Sequence, residues 1–418
     1  MNFSKVANLG VVACPGGEKF ADDVIAYLKR NYTNKHIKKV ELLAKNYGMT
    51  KDEVEKRLNF RSDVMDPNIS VTEDFYSFKC PEFKIPAKCT RFANGEFKME
   101  IKSTVRGMDV FIIQDVENHY PLDINNDGNK YVLSVADHVF ILLTAIDAVM
   151  QSGARSVSVV VPVYPFSRQH RRSGREALSA SMIGRILEYL GIKKIITLDI
   201  HSKEIENSFN RLRMENLHAS YQIIKELGKL IDLEKEDLVI VSPDTGATER
   251  NKFYATNLEK PLALIYKERD YAKVTGDAKT TNITSMKLLG NVEGKTVFMA
   301  DDMLGTGGTL IKAMKMLKEA GAKKIICAIS LPLFTGNAIA NFDEAYKNGY
   351  FYRLIGTNAV YHDQSLLDKE WYISASLSDL FARIISRLHQ NRPITPIIDN
   401  RKIILQLLQK TDLKIKSE

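Results

Sequence analysis

The apolar residues of this chain gather in short unbroken runs, separated by longer stretches with helical spacing. SVSVVVPV (156–163), KKIITLDI (193–200), DLVIVSPD (237–244), PLALIYK (261–267), KTVFMADD (295–302) and KKIICAIS (323–330) each read as a strand. Runs with no polar alternation suit strands covered on both faces, as in a parallel sheet. Between them, residues 178–190 and 310–320 have apolar residues at helical intervals. A recurrence ties the two kinds of element together: GARSVSVVV, GIKKIITL and GAKKIICA begin at Gly153, Gly191 and Gly321. Each glycine can close a helix in the left-handed conformation just before a strand. Three such joints predict an α/β fold with two related domains, each a mostly parallel sheet flanked by helices.

Two segments break the pattern. Residues 36 to about 84 are charged, include the helical stretch KDEVEKRL (51–58), and read as an insertion without phosphate or metal ligands of its own. HYPLDINNDGNKY (119–131) is polar and loop-like. Beyond Asn391, RPITPII marks a break before a short basic segment that reads as an appendage. The expected organisation is therefore a first domain over 1–205, a second over 206–390 and an extension over 391–418, an ordinary division for 418 residues.

Composition narrows the class. Hydrophobic residues at 44% and charged residues at 26% are typical of a globular protein. The 59 basic against 51 acidic residues give +8, which suits a soluble enzyme with anionic substrates. No basic stripe interleaved with aromatics argues for nucleic acid, and Trp371 lies far from the basic cluster. Cys14, Cys80, Cys89 and Cys327 are scattered, so neither a zinc site nor a disulfide framework is expected and a reducing cytoplasm fits. The opening MNFSKVANLGVVAC lacks a signal-peptide pattern, and no run nears the ~20 apolar residues of a membrane span.

Chemistry concentrates in VFMADDMLGTGGTL (297–310), a strand ending in Asp301 and Asp302 followed by a turn of glycines and threonines. Glycines allow an anion close to the backbone, and amides at a helix start point towards it. Carboxylates beside such a cradle face sugar hydroxyls or a metal ion, not the phosphate. Two other motifs fail. GNVEGKT (290–296) has its first glycine one place too close for a phosphate loop, and its strand follows where it should precede. DINNDG (123–128) starts like a calcium loop but has Ser134 at the twelfth position, where a bidentate glutamate is needed.

The 297–310 loop resembles the phosphoribosyl-diphosphate loop of type I phosphoribosyltransferases and of ribose-phosphate diphosphokinases. The diphosphokinase resemblance extends over most of residues 5–330. It implies that Asp301, Asp302, Thr306, Gly307, Gly308 and Thr309 bind ribose 5-phosphate. TRFANGEFKMEIKSTVRGMDVFIIQ (90–114) is similar to that family's nucleotide segment. There Phe92 would stack on adenine while Asn94 and Glu96 bind its polar edge, across a subunit interface of a homo-oligomer. YPFSRQHRRSGREALSA (164–180) carries Arg168, Arg171, Arg172 and Arg175, a charge density that suits a triphosphate. The resemblance gives ATP contacts to Arg168, Gln169 and Arg171, in a stretch one residue shorter than usual.

TLDIHS (197–202) matches the family's histidine at His201, which touches the metal–nucleotide complex, while KEIENSF (203–209) departs from the usual continuation. In SPDTGATER (242–250) the resemblance makes Asp244 a magnesium contact. In YKERDYAK (266–273) it makes Lys267 and Arg269 the catalytic pair that stabilises the transferring diphosphoryl group. The implied reaction converts ATP and ribose 5-phosphate to phosphoribosyl diphosphate and AMP, with Mg2+ and without a covalent intermediate. The alternatives are a silent regulatory relative of that enzyme, or a phosphoribosyltransferase, which needs only one such domain. Gly305 stands where the family usually has a third loop aspartate. Its absence is expected to weaken ribose 5-phosphate binding, unless Gly305 is held at a positive φ that a side chain would strain.

Overall fold

All six continuous apolar runs form strands in the computed structural model, which describes residues 7–63, 80–269, 283–405, 407 and 408. The first half contains β1 (Leu9–Ala13), α1 (Glu18–Tyr47), α2 (Lys51–Asp63), β2 (Ala87–Arg91), β3 (Phe97–Ile101), β4 (Asp109–Ile113), α3 (Val135–Gln151), β5 (Ser156–Val160), α4 (Ser179–Tyr189), β6 (Lys194–Leu198) and β7 (Arg213–Leu217). The second contains α5 (Ser220–Leu230), β8 (Leu238–Ser242), α6 (Thr248–Asn257), β9 (Leu262–Arg269), β10 (Ile283–Leu289), β11 (Thr296–Leu304), α7 (Gly308–Glu319) and β12 (Lys324–Pro332). After these come α8 (Ala338–Lys347), β13 (Arg353–Thr357), α9 (Gln364–Leu367), β14 (Tyr372–Ala375), α10 (Ser378–His389) and α11 (Thr395–Ile398). The three recurring glycines are left-handed, with φ of 83° at Gly153, 86° at Gly191 and 87° at Gly321.

Two sheets result. The first is parallel throughout in the order β1-β4-β5-β6-β7, and β2 and β3 form a separate antiparallel hairpin. The second runs β10-β9-β8-β11-β12-β13-β14, parallel except for β10 at one edge. Its strand order reverses between β8 and β11, the kind of point where open α/β sheets bind ligands, beyond the strands' carboxyl ends. Both faces of this sheet are covered. Ile240, Phe298 and Ile326 join the core shared with the first sheet, while Val239, Val297, Met299 and Cys327 pack under α7 and α8. That double coverage is the reason the strands carry no polar alternation.

The halves interlock. Helix α10 crosses back onto α1, where Phe381 meets Phe20 edge-on at 5.2 Å, and α5 packs on β13 and β14. Three expected boundaries therefore shift. β7 pairs in parallel with β6, so the first sheet closes at Leu217, beyond residue 205. Residue 36 lies inside α1, which runs unbroken to Tyr47 and ends at left-handed Gly48, with α2 folded back over it through buried Val54. The 391–418 segment is no appendage where it is described. Ile397 and Ile404 are buried, and Asn400 Nδ2 donates to Ser220 Oγ at 3.3 Å.

Residues 123–128 close on themselves, with Asp123 accepting from the Asp127 and Gly128 amides at 3.1 and 3.0 Å. All four cysteines are free thiols. No helix among the described residues is long and apolar enough to cross a membrane. Ile404→Ala should lower the unfolding free energy by about 2–5 kcal/mol, as for other fully buried aliphatic residues. Urea denaturation measures this, and an unchanged midpoint would mean the segment is peripheral after all.

Candidate active site

The crevice begins where β8 and β11 part. Their ladder covers only Thr296–Phe298 against Leu238–Ile240. Beyond it, fully buried Asn251 of α6 takes over as the partner of β11. Its Nδ2 donates to the Ala300 carbonyl at 2.8 Å and its Oδ1 accepts from the Ala300 amide at 3.0 Å. A side-chain amide thus substitutes for a strand, and the next two residues of β11 are Asp301 and Asp302.

Their carboxylates are held by backbone. The Asp302 amide donates to Asp301 Oδ1 at 2.8 Å, and the Met303 amide to Asp302 Oδ1 at 2.7 Å. The turn that follows is pinned by the Leu333 and Phe334 amides on the Leu304 carbonyl, and by the Thr335 amide on Gly305. Gly307 is left-handed at φ 76°, and a Cβ there would come within 2.3 Å of the Phe342 ring. Helix α7 starts next, with no side-chain cap and with Thr306, Gly308 and Thr309 exposed. First-turn amides have no acceptor within their own helix, so this turn offers donors to an anion.

Negative charge is crowded here. Burial first, then the charges of Asp302 and Asp244, push the Asp301 carboxyl up to about 7. Asp244 follows β8 and is braced by the Ala247 amide at 3.0 Å. Burial also pushes Asp302 upward, but the hydrogen bond from His201 and the charge of Arg250 outweigh it and leave that carboxyl below its usual range. His201 comes from the first sheet, and its Nδ1 donates to Asp302 Oδ2 at 2.6 Å. The His170 ring meets His201 edge-on at 5.4 Å.

Behind this pair sits Asp199, buried and at a φ of 39°. Burial alone would raise its carboxyl, yet Arg250 and His218 hold it well below the ordinary range. Arg250 Nη1 lies 3.3 Å from Asp199, and His218 Nδ1 donates to the same oxygen at 2.8 Å. Arg250, His218 and Asn251 were not singled out from sequence. The signal available for Arg250 was electrostatic: four acids at strand ends require a counter-cation, and SPDTGATER supplies one.

The remaining expected residues divide. Arg168 is exposed and close to the loop, since a Cβ on Gly305 would stand 3.9 Å from both terminal guanidinium nitrogens. Gly305 itself is not left-handed, so the positive-φ explanation for its identity fails, and the strained position is Gly307. Arg171 turns to Glu204, donating to both carboxylate oxygens at 2.9 and 2.7 Å. Gln169 is exposed in a turn closed by its amide on the Phe166 carbonyl at 2.8 Å. Phe92, Asn94 and Glu96 occupy the tip of the β2–β3 hairpin, where the Phe92 amide donates to Glu96 at 2.8 Å and Asn94 Oδ1 accepts from the Glu96 amide at 3.2 Å. The Phe92 ring is 45% exposed, and no described hydrogen bond or ion pair links the tip to the Asp301–Asp302 cluster. Lys267 and Arg269 lie on β9, paired with Met286 and Ile283 of β10, and their side chains fall outside the described residues. No group of three or more histidine, cysteine or acidic side chains is assembled to hold a metal among the described residues. Instead, His201 adjoins Asp302 and Asp244 adjoins Asp301.

Comparison with known proteins follows the same outline. Residues 81–191 match the family described as the N-terminal domain of ribose phosphate pyrophosphokinase, and residues 211–364 the phosphoribosyl transferase domain. Ribose-phosphate pyrophosphokinase 2 of Enterococcus faecalis is 31% identical over 323 residues, covering 75% of this chain and 89% of that protein. Ribose-phosphate pyrophosphokinase of Mycoplasma pneumoniae is 31% identical over 335 residues, covering 79% and 94%. The crystal structure of phosphoribosylpyrophosphate synthetase from Mycobacterium smegmatis has the same fold, with a TM-score of 0.66 at 24% identity, over 92% of this chain and 99% of that one.

Two substitutions test the geometry. Asn251→Leu strands the buried Ala300 amide and carbonyl and should cost about 1–3 kcal/mol for each unpaired group. Amide exchange along β11 would report it, and protection that persists at Ala300 would contradict the bracing role. Gly307→Ala forces a methyl against Phe342 at a left-handed position, with an expected loss of about 1–3 kcal/mol. It should also weaken binding of ribose 5-phosphate by calorimetry. Intact binding would show that the turn tolerates another shape.

Proposed function

This chain belongs to the ribose-phosphate pyrophosphokinase family, and from that membership we propose how its own residues serve the reaction. The enzyme transfers the terminal diphosphoryl group of ATP to the C1 hydroxyl of ribose 5-phosphate. The products are AMP and 5-phospho-α-D-ribose 1-diphosphate, a precursor for nucleotide biosynthesis. The C1 oxygen attacks the β-phosphorus, the bond from that phosphorus to the α–β bridging oxygen breaks, and AMP departs with the bridging oxygen. The C1 hydroxyl proton is released. Positioning and electrostatic stabilisation do most of the catalysis in such a step.

The observation that supports carrying this reading to the residues is the contact of His201 with Asp302 at 2.6 Å, which joins a side chain from the first sheet to the loop of the second to which we assign the sugar. A phosphoribosyltransferase would leave the first sheet without a task. In our assignment Asp301 and Asp302 accept hydrogen bonds from ribose hydroxyls. The amides of Gly307, Gly308 and Thr309, with the Thr306 and Thr309 hydroxyls, hold the 5-phosphate. Arg168 and Gln169 meet the ATP phosphates. Arg171 joins them when it leaves Glu204. Lys267 and Arg269 meet charge developing at the attacked phosphorus.

The donor set fits Mg2+. This ion prefers oxygen ligands and keeps several waters, so one or two carboxylates plus phosphate oxygens suffice. Burial first, and then the charges of Asp302 and Asp244, raise the Asp301 carboxyl, and a divalent cation would relieve the charge crowding. Asp244 is the carboxylate we assign to it, and His201 would contact the metal–nucleotide complex from beside Asp302. Bound Mg2+ would neutralise phosphoryl oxygens. The exposed Phe92 ring, with Asn94 and Glu96 beside it on a hairpin tip, suits an adenine site completed by a second copy of the chain.

AMP formation from ATP and ribose 5-phosphate, with no nucleobase added, tests the reaction. Its absence at saturating substrates would favour a silent relative. Lys267→Ala should lower turnover about 10²–10³-fold, the effect of losing one transition-state donor, with little change in ATP binding. Near-normal turnover would remove Lys267 from the catalytic role.

A further inference from the structure

The place left by Gly305 is not vacant in its electrostatics. Its backbone lies outside the left-handed range, and an added Cβ would be 3.5 Å from Thr335 Oγ1 and 3.9 Å from Arg168 Nη1 and Nη2. A side chain would fit. The guanidinium therefore stands beside the position from which an aspartate would reach into the sugar loop. Thr335 is itself fixed to this turn, its amide donating to the Gly305 carbonyl at 3.2 Å. Arg168 is also near Glu117, whose half-buried carboxylate it partly offsets. No described salt bridge holds its fork, in contrast to Arg171, which is engaged by Glu204 through two bonds.

We propose that Arg168 is a ribose 5-phosphate-binding residue as well as a nucleotide contact, its guanidinium replacing the missing loop carboxylate as the polar group facing the sugar phosphate. The inference rests on the ribose-phosphate pyrophosphokinase reading. Chemically the exchange changes the sign of the contact. A carboxylate only accepts, and so selects hydroxyl donors. A guanidinium only donates, through a planar fork matched to phosphoryl and hydroxyl oxygens. With Asp301 and Asp302 already crowded, a third acid would add repulsion towards an anionic substrate, whereas Arg168 adds attraction. A residue that meets both substrates also sets the distance between the C1 hydroxyl and the phosphate chain, which is the quantity the reaction depends on.

This reverses the expected effect of restoring the aspartate. Gly305→Asp would place a carboxylate against the Arg168 fork, and the pair would withdraw the guanidinium from the substrate. Titration calorimetry with ribose 5-phosphate alone, and separately with ATP alone, distinguishes the cases in wild type, R168A, R168K, G305D and the R168A/G305D double variant. Arg168 is exposed, so its variants should melt like the wild type.

We expect R168A to weaken ribose 5-phosphate binding about tenfold to a hundredfold, with R168K intermediate. G305D should weaken it in the wild-type background and add little in the R168A background. If R168A binds ribose 5-phosphate within twofold of wild type, or loses only ATP, the proposal is wrong. If G305D tightens the sugar phosphate whether or not Arg168 is present, the loop is simply missing a carboxylate. A wild type that binds no ribose 5-phosphate and forms no AMP would overturn the functional reading itself, a result separable from the others.

Discussion

The site depends on a defect in a sheet. Two parallel strands that pair to their ends leave no crevice, and β8 and β11 stop pairing after Phe298. Separated strands expose amides and carbonyls that a buried sheet cannot leave unpaired. Asn251 resolves this with one side chain that returns both hydrogen bonds to Ala300. It keeps β11 straight through Asp301 and Asp302 while β8 turns away to Asp244. The adjacent Arg250 supplies the charge that such a convergence of acids requires. The same turn of α6 thus provides the backbone repair and the counter-ion.

Arg250 also links the two sheets. It pairs with Asp199 from the end of β6, while His201, two residues on, reaches Asp302 at the end of β11. Breaking a buried ion pair costs about 3–5 kcal/mol, because the remaining partner is left charged and desolvated. Asp199 is in that position, with a left-handed backbone that only its surroundings maintain. Through Arg250 on Asp199 and His201 on Asp302, the carboxyl ends of the two sheets are tied to each other.

Strands covered on both faces were legible because their apolar runs are continuous, and the Gly153, Gly191 and Gly321 joints were legible because only a left-handed residue fits there. The turn from Asp301 to Thr309 was legible as a strand-to-helix joint, because glycines and threonines follow the apolar run directly. β7 escaped notice because RMENL is a polar edge strand with exposed Arg213 and a half-buried middle, which carries no run. The continuation of α1 past residue 36 escaped because its outer half is solvated and has Val40 as its one buried residue there. Asn251 was unreadable in a stronger sense, and for Arg250 the need for a cation was legible but its partner was not. Each acts through partners about 50 residues away in either direction, Ala300 and Asp199, and nothing in TERNK marks which side chains will be buried.

The same limit explains Gly305. In sequence it is a loss, an aspartate missing from a loop of acids. In three dimensions the adjacent space belongs to Arg168, which comes from a different sheet, so one position cannot be judged without the other. A glycine with ordinary backbone angles and room for a Cβ has no conformational reason to be glycine. What remains is electrostatic. Three acids around an anionic sugar need more cation, whereas two acids with a nearby guanidinium supply part of it themselves. The loop and the arginine segment therefore lie side by side at Gly305, where a Cβ would stand 3.9 Å from both terminal nitrogens of Arg168.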